Sequence, residues 1–435
     1  MFASTVLPRV ATVSFVSLTL SPSSLCDKEV KSKKDSKDQK IVIIGGGTAG
    51  IGVAAMLKNA GMNNISIIEP KNEHYYQPLW TLVGAGIKQN EQSAKSMNDI
   101  IPSGVQWIKK SVTKFDPKSD RVFLEDSSEV TYDYLIVAAG IQIDWGKIPG
   151  LTEGLKKEGS GVVSIYDYTS SAKTWRDFQS IKHKPSRMIF TMSPTVLKCA
   201  GAPQKIMWLL EDTLRSKNLR DQTSVEFWTP GSAMFAIKRY SDQLEAIRVE
   251  RGVKAVFRKE LVAINIDSKQ ATFKDLDTNK LIKESYDLLH VAPPMSAPDF
   301  IKSSPLANEG GWVDVNKNTL QSTKFPNVFA LGDCTSTPNS KTAAAITAQA
   351  PILTHNLIKT IDGQTLNGYY NGYASCPLII SRNKVILAEF GYDGKIMETF
   401  SKDTGSFPLN ILGNEDGFMH RFFYFLKEQI FPFAY

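Results

Sequence analysis

A strand–glycine–helix–strand unit constrains the fold of this 435-residue chain more than any other feature. The run at 40–44, apolar after its first residue, predicts a buried strand, and Gly-Gly-Gly-Thr-Ala-Gly follows it directly at 45–50. The alanine-rich stretch up to about residue 59 predicts a helix, and 65–68 predict a second strand. Glycines alone can mark a tight structural turn, but this order indicates the dinucleotide-binding unit of a doubly wound α/β fold.

Each residue type in this unit has a physical role. Gly45 permits the tight turn, Gly47 lets a pyrophosphate approach the backbone, and Gly50 lets the helix pack closely on the strand. Thr48 and Ala49 follow at the start of the helix, whose N-terminus favours a phosphate charge. The unit therefore predicts a nucleotide cofactor.

The unit alone, with Glu69, does not distinguish FAD from NAD, and two later segments favour FAD. Glu69 ends the second strand, where a carboxylate accepts hydrogen bonds from ribose hydroxyls. Residues 132–140 predict a buried strand that ends at Gly140, and residues 325–333 predict another that ends at Asp333. Together they resemble the three-part FAD signature of flavoproteins with two dinucleotide-binding domains, in which that aspartate bonds the ribityl chain.

Lys341 lies where the next helix is predicted to begin. The positive end of the helix dipole and a lysine would both stabilise the negative charge of a reduced flavin. A plain surface lysine is the alternative for this position.

Residues 156–294 alternate between strand and helix patterns and predict a second Rossmann-like domain. Its strands are predicted at 188–191, 225–229, 255–258 and 262–266. The first of them leads into Met-Ser-Pro-Thr, without the glycines that would hold a second pyrophosphate, which argues against a nicotinamide site. The predicted class is α/β, with two Rossmann-like dinucleotide-binding domains and a C-terminal membrane-associating region. The predicted segments are a transit peptide at 1–26, a charged linker at 27–39, an FAD-binding domain at 40–155 and 295–370, the second Rossmann-like domain at 156–294, and the C-terminal region at 371–435.

The composition excludes several other classes. The net charge of +7 is not gathered into a basic block, so no nucleic-acid partner is predicted. Residues 1–26 contain no acidic residue and many serines and threonines, a composition typical of a mitochondrial transit peptide. Eight of the eighteen residues at 418–435 are aromatic, and their pattern indicates an interfacial helix at a membrane surface. A helix packed on the core or on a second subunit is the alternative for that tail.

The four cysteines have no CxxC spacing, so no zinc or other metal site is predicted. Cys199 lies just before a helix predicted to start at Pro203, with Lys198 beside it, and both should lower its thiol pKa. Cys376 is predicted in a loop before a strand at 378–381. Cys334 follows the predicted FAD-binding aspartate and is interpreted as structural. A buried, inert thiol is the alternative for any one cysteine.

Several segments resemble the mitochondrial sulfide:quinone oxidoreductase family over residues 40–400. They are NEHYYQPLWTLVGAG (72–86), KCAGAPQKIMWL (198–209), HVAPPMSAPD (290–299), GWVDV (311–315), GDCTSTPNSKTAAA (332–345) and GYASCPLI (372–379). The resemblance implies that Cys199 and Cys376 are the two redox-active cysteines. It also implies FAD contacts at five positions: Glu69, Gln77, Val112, Asp333 and Lys341.

The same resemblance implies an activity and its partners. Hydrogen sulfide would attack a sulfur bridge between the cysteines and leave a persulfide on Cys376, while the Cys199 thiolate passes electrons to FAD. Glutathione or sulfite would take the sulfane sulfur, and ubiquinone would take the electrons. The chain would lie peripherally on the mitochondrial inner membrane, and a homodimer is left open. This mechanism requires the fold to bring the two sulfur atoms together.

Two other functions are alternatives to this one. A type II NADH:quinone oxidoreductase would share the fold, FAD and quinone, but the absent second glycine motif and the placement of the cysteines disfavour it. A degenerate flavoprotein acting as a binding or sensor module would have lost site residues, and none is lost.

Overall fold

The computed structural model describes residues 36–181 and 183–399, together with the backbone of the strand Phe407–Pro408. The predicted transit peptide, Cys26 and the aromatic tail at 418–435 lie outside these residues. Two five-stranded parallel sheets form the framework of the described chain, as expected for two Rossmann-like units.

The first parallel sheet is built around the fully buried strand Ile41–Ile44, whose four apolar residues leave no polar face. Its strand order is Val328–Ala330, Tyr134–Val137, Ile41–Ile44, Ile65–Ile68 and Gln106–Ile108. The helices Thr48–Asn59 and Ala343–Ile361 pack on one face in a shared apolar cluster. The antiparallel strands Val112–Asp116, Arg121–Leu124 and Glu129–Thr131 pack on the other.

The second parallel sheet has the order Val162–Val163, Leu288–His290, Ser186–Thr191, Thr223–Trp228 and Lys254–Val256. Three helices flank it: Tyr168–Ile181, Ala202–Ser216 and Lys238–Glu250. The strand predicted at 262–266 is wrong as a member of this sheet. It belongs to Lys259–Asn265, which forms a separate antiparallel sheet with Gln270–Asp275 and Leu281–Ser285.

A C-terminal hairpin packs on the helix Ala202–Ser216. Its strand Ala374–Ser381 pairs with Lys384–Phe390, which pairs in turn with Phe407–Pro408. Cys376 lies inside the first of these strands, opposite Ala388, so its prediction as a loop residue is wrong. The hairpin and the helix share one apolar cluster, and this places Cys376 against the helix start.

Short elements complete the described chain. The helices are Trp80–Gly84, Met97–Ile100, Leu151–Lys156 and Asp299–Lys302. The strands are Glu73–Tyr75, which pairs with Ala94–Ser96, and Gln142–Ile143, which pairs with Met295–Ser296 where the chain leaves and re-enters the first sheet. In the part of the chain that is described, none of the helices has the length and apolar character needed to cross a bilayer.

Candidate active site

The glycine-rich turn after the first strand has the geometry that a dinucleotide requires. Gly45 has φ +105°, and a Cβ there would lie 2.5 Å from the carbonyl oxygen of Ala138. A Cβ on Gly50 would lie 1.9 Å from the carbonyl oxygen of Gly45. Gly47, in contrast, has no atom within 4 Å of an added Cβ, so its backbone faces open space. Two glycines thus permit the tight packing, and the third borders a cradle.

One cavity of about 630 Å³ collects most of the predicted site residues. Those on its wall are Gly45, Gly47, Thr48, Ala49, Glu69, Gln77, Val112, Gly140, Cys199, Asp333 and Lys341. Gly50 and Cys376 do not line this cavity: Gly50 packs against the Gly45 carbonyl, and Cys376 contacts Cys199. Residues from both parallel sheets and from the C-terminal hairpin therefore meet at one cavity.

The polar groups on this wall fit a flavin dinucleotide. Glu69 accepts hydrogen bonds from the amides of Gly46 (2.8 Å) and Lys71 (2.9 Å) at the tip of its strand. Gly140, like Gly47, has open space where a Cβ would stand. The half-buried Asp333 carboxylate accepts no hydrogen bond from any residue in the described ranges, and burial raises its pKa. A ligand hydroxyl at Asp333 would satisfy a carboxylate that the described residues leave unbonded.

Lys341 is buried, so its alternative as a surface lysine is wrong. Its ammonium donates to the carbonyl oxygens of Thr335 (2.7 Å) and Thr337 (3.1 Å), and burial lowers its pKa. The next helix begins at Ala343 and is capped by the Thr342 hydroxyl, which accepts from the Ala345 amide. The ammonium is therefore held at the cavity wall beside the helix N-terminus.

Cys199 and Cys376 are brought together from 177 positions apart, with 3.8 Å between their Sγ atoms. Cys199 has φ +52°, a left-handed conformation that is unusual for a residue with a side chain. Its amide donates to the Lys341 carbonyl at 2.6 Å, and its carbonyl accepts from the Ala202 amide at 2.8 Å. The backbone at Cys199 is thus fixed both to the wall that carries Lys341 and to the helix that follows.

Lys205, and not Lys198, is the lysine at the thiol. The Nζ atom of Lys205 lies 3.2 Å from Sγ of Cys199, whereas Nζ of Lys198 lies 5.5 Å from the ring centroid of Trp80. Burial lowers the pKa of Lys198 to about 8. Sequence adjacency favoured Lys198, but the helix starting at Ala202 turns Lys205 toward the sulfur. The available signal was a lysine within the apolar run of that helix.

The pKa values of the two thiols are shifted apart. The pKa of Cys199 is lowered to about 5, first because Cys376 hydrogen-bonds to its sulfur; burial acts in the opposite direction, and the charge and hydrogen bond of Lys205 lower the pKa further. The pKa of Cys376 is raised, because that hydrogen bond and burial both favour its neutral thiol. Burial alone would lower the pKa of Lys205, but the charges of the two cysteines raise it. Cys199 is therefore the thiolate of the pair.

Tyr166 is a site residue that sequence analysis missed. Its buried hydroxyl lies 3.4 Å from the carbonyl oxygen of Cys199 and on the cavity wall. Burial, followed by the charges of Cys199 and Cys376, raises its pKa well above the ordinary value. The residue follows the short strand Val162–Val163, and no sequence pattern distinguishes it. A phenol held neutral in this way remains a hydrogen-bond donor.

The structural interpretation of Cys334 is confirmed. Its buried thiol donates to the carbonyl oxygens of Val137 and Leu331, and burial raises its pKa to about 11. Cys199, Cys334 and Cys376 are all free cysteines. Within the described ranges, no cluster of three or more histidine, cysteine or acidic side chains could hold a metal ion.

Comparisons with known proteins agree with this geometry. Residues 39–182 match the pyridine nucleotide-disulphide oxidoreductase family model. The chain is 45% identical over 414 residues to the mitochondrial sulfide:quinone oxidoreductase of Dictyostelium discoideum, covering 94% of this chain and 87% of the relative. It is 41% identical over 398 residues to the Mus musculus protein of the same name, covering 91% and 85%. The X-ray structure of the Aquifex aeolicus sulfide:quinone oxidoreductase shares the fold, with a TM-score of 0.73 at 18% identity over 90% of this chain and 91% of that one.

Proposed function

The chain belongs to the mitochondrial sulfide:quinone oxidoreductase family, and from this premise we propose that Cys199 and Cys376 are its reaction centre and FAD its cofactor. The enzyme oxidises sulfide with a quinone as electron acceptor, and its family implies a flavin. One observation carries the assignment to residues. Cys199, on the cavity wall, lies 3.8 Å from Cys376 and 3.2 Å from a lysine ammonium.

The two thiols divide the sulfur chemistry between them. In the oxidised enzyme a sulfur bridge joins the cysteines, and hydrosulfide attacks it on the side of Cys376. That attack forms a persulfide on Cys376 and releases Cys199 as a thiolate. Cys199 is the better leaving group, because its surroundings stabilise the thiolate that departs, as its lowered pKa shows. Lys205 holds that charge through its contact with the Cys199 sulfur.

The cycle closes when an acceptor takes the outer sulfur of the persulfide. The acceptor, glutathione or sulfite in our proposal, leaves Cys376 as a thiolate. The two thiolates then re-form the bridge and release two electrons. A bound flavin would supply the redox chemistry that links these two electrons to quinone. Tyr166, held neutral by burial, donates a hydrogen bond beside the pair throughout.

We assign the cavity wall to FAD as follows. The turn at Gly45, Gly47 and Gly50, with Thr48 and Ala49 at the helix start, would hold the pyrophosphate. Glu69 would accept from the adenosine ribose, and Asp333, which has no hydrogen-bond partner among the residues described, would accept from the ribityl chain. Four further residues would border the flavin: Gln77, Val112, Gly140 and Lys341.

The alternative, a type II NADH:quinone oxidoreductase, is not supported by the second parallel sheet. The segment that follows Ser186–Thr191 has no glycine before Gly201. An added Cβ on Gly201 would meet the sulfur of Cys376, so this glycine borders the cysteine pair and not a second nucleotide cradle. The relatives at 39–45% identity are named for sulfide and quinone.

We propose that the enzyme acts at the mitochondrial inner membrane as a peripheral protein. The similar proteins are named mitochondrial, and ubiquinone dissolves in lipid. The aromatic segment at 418–435 would make the membrane contact. Whether the enzyme acts as a monomer or as a homodimer has no bearing on this assignment, because both cysteines come from one chain.

Anaerobic titration of the purified flavoprotein tests the proposed function. With sulfite present as the sulfur acceptor, sulfide should bleach the oxidised flavin spectrum, and NADH at the same concentration should not. Adding a short-chain ubiquinone should then restore the oxidised spectrum. Bleaching by NADH but not by sulfide would reject the proposal in favour of the NADH alternative.

A further inference from the structure

Gly201 lies two positions after Cys199, directly before the helix Ala202–Ser216. Its backbone angles, φ −80° and ψ −12°, are ones that alanine adopts without strain. The backbone conformation therefore does not require glycine at this position. What distinguishes Gly201 is the space that a side chain would occupy.

That space is already filled by the neighbouring strand. A Cβ on Gly201 would lie 2.4 Å from Sγ of Cys376 and 2.6 Å from Cδ2 of Leu378. Both distances are far below van der Waals contact, which begins at about 3.5 Å between heavy atoms. Cys376 and Leu378 are each 1% exposed, so neither has open space beside it. The strand can lie this close to the helix start only because residue 201 has no side chain.

We propose that Gly201 is a positioning residue that sets the separation of the two reactive sulfur atoms. The inference rests on the proposed function, since it concerns the same cysteine pair. With a methyl group at 201, the Cys376 side chain would turn away from that methyl group, because rotation of a thiol is easier than displacement of a core strand. The Cys376 sulfur would then leave its place 3.8 Å from Cys199. Misplacing a reacting atom by 1 Å can cost about 100-fold in rate.

Gly201→Ala in the full-length flavoprotein tests this role, with Gly146→Ala as the matched control. Gly146 has no atom within 4 Å of an added Cβ. Each protein is reduced, freed of reductant and treated with diamide, which accepts two electrons and two protons as the dithiol closes to a disulfide. Free thiols are then counted by mass spectrometry. We expect closure in the wild type and Gly146→Ala, and closure about 100-fold slower in Gly201→Ala. Closure at the wild-type rate in Gly201→Ala would overturn the proposal, and so would a wild-type pair that does not close.

A second pair of variants separates the two contacts of the added methyl group. Gly201→Ala combined with Leu378→Ala relieves the leucine contact but keeps the sulfur contact, and it also serves if Gly201→Ala alone does not fold. This double variant should still close slowly relative to Leu378→Ala. If it closes as fast, the effect belongs to packing at Leu378 and the proposal is wrong. The diamide measurement needs no sulfide, so its outcome is independent of the bleaching test of function.

Discussion

The ammonium of Lys205 lies 3.2 Å from the sulfur of Cys199, although six positions separate the two residues in the chain. The left-handed backbone at Cys199 reverses the chain, and the helix from Ala202 then returns Lys205 to the thiol. Among the three cysteines that the structure describes, this contact pairs a buried cation with the one whose pKa is lowered. It therefore ties the reactivity of the site to a residue outside the cysteine pair.

Replacing Lys205 with methionine should raise the pKa of Cys199. The lysine favours the thiolate, so its loss shifts the pKa upward, and the fraction of thiolate at neutral pH falls. The acid limb of the rate of sulfide-dependent flavin reduction should move to higher pH by about one unit or more. Alkylation of the reduced protein by iodoacetamide as a function of pH measures the same pKa directly.

Lys198→Met is the control for that experiment. Lys198 contacts the ring of Trp80 and is not among the groups that shift the pKa of Cys199. Its alkylation profile should match that of the wild type. An equal shift in both variants would mean that the effect is general to the cavity and not specific to Lys205.

Serine at either reactive cysteine should abolish sulfide-dependent bleaching while FAD stays bound. The hydroxyl cannot take part in a sulfur bridge, whereas neither residue is among those assigned to hold FAD. Cys334→Ser is the matched control, since a hydroxyl there can donate to the same carbonyl oxygens of Val137 and Leu331. Stopped-flow spectra at the flavin band should be flat for the first two variants and normal for the third. Bleaching of normal amplitude in either of the first two would remove that cysteine from the mechanism.

Valine at Gly47 should weaken FAD binding without destabilising the apoprotein. The protein has no atom within 4 Å of an added Cβ at 47, so the side chain would enter the cradle assigned to the pyrophosphate. Gly50→Ala should instead lower the stability of the apoprotein, because its Cβ would collide with the carbonyl of Gly45. We expect a loss of about 1–3 kcal/mol in apoprotein stability for Gly50→Ala. Flavin titration and urea unfolding of the apoproteins distinguish the two effects, and unchanged FAD affinity in Gly47→Val would contradict the assigned cradle.

Phenylalanine at Tyr240 should loosen the C-terminal hairpin. The Tyr240 hydroxyl accepts from the amide of Glu389 and lies 3.0 Å from the carboxylate of Glu398. Removing it leaves buried polar groups unpaired, at a cost of about 1–3 kcal/mol in the free energy of unfolding. Arg239→Met, which breaks the exposed ion pair with Glu398, should cost only about 0–1 kcal/mol. Urea unfolding compares the two, and equal losses would show that the hydroxyl has no special role.

Deleting residues 415–435 should abolish flotation with liposomes that contain anionic lipid. The aromatic residues of this segment are suited to the interface between headgroups and acyl chains. Sulfide should still bleach the flavin of the truncated protein, because both cysteines and the cavity lie before residue 400. Unchanged flotation would favour the alternative of a helix packed on protein.

Local sequence patterns predicted the part of the site around the glycine turn. The part around the two cysteines depends on long-range packing. The glycine turn and its two strands were predictable, because tight turns and buried strands depend on residues close in sequence. The meeting of Cys199 with Cys376 was required by the resemblance but could not be derived from spacing, since it depends on how the hairpin packs on a helix. The prediction that Lys198 lowers the pKa of Cys199 failed for a related reason, because adjacency in sequence says nothing about the turn that brings Lys205 to the thiol instead.

Pro377 explains why Cys376 was placed in a loop. A proline removes a backbone donor, so a strand that contains one is not expected in the middle of a sheet. The strand Ala374–Ser381 is at the edge of its sheet, where proline is tolerated. Edge position is a property of the folded sheet and cannot be read from the strand's own residues.

The hydrogen bond from the Cys199 amide to the Lys341 carbonyl has a mechanical consequence. It joins the segment that follows the strand Ser186–Thr191 of the second parallel sheet to the segment that precedes the helix Ala343–Ile361, which packs on the first. This one short hydrogen bond thus sets the position of Cys199 relative to the cavity wall. If the two sheets tilted slightly relative to each other, Cys199 and the cavity wall would therefore move together.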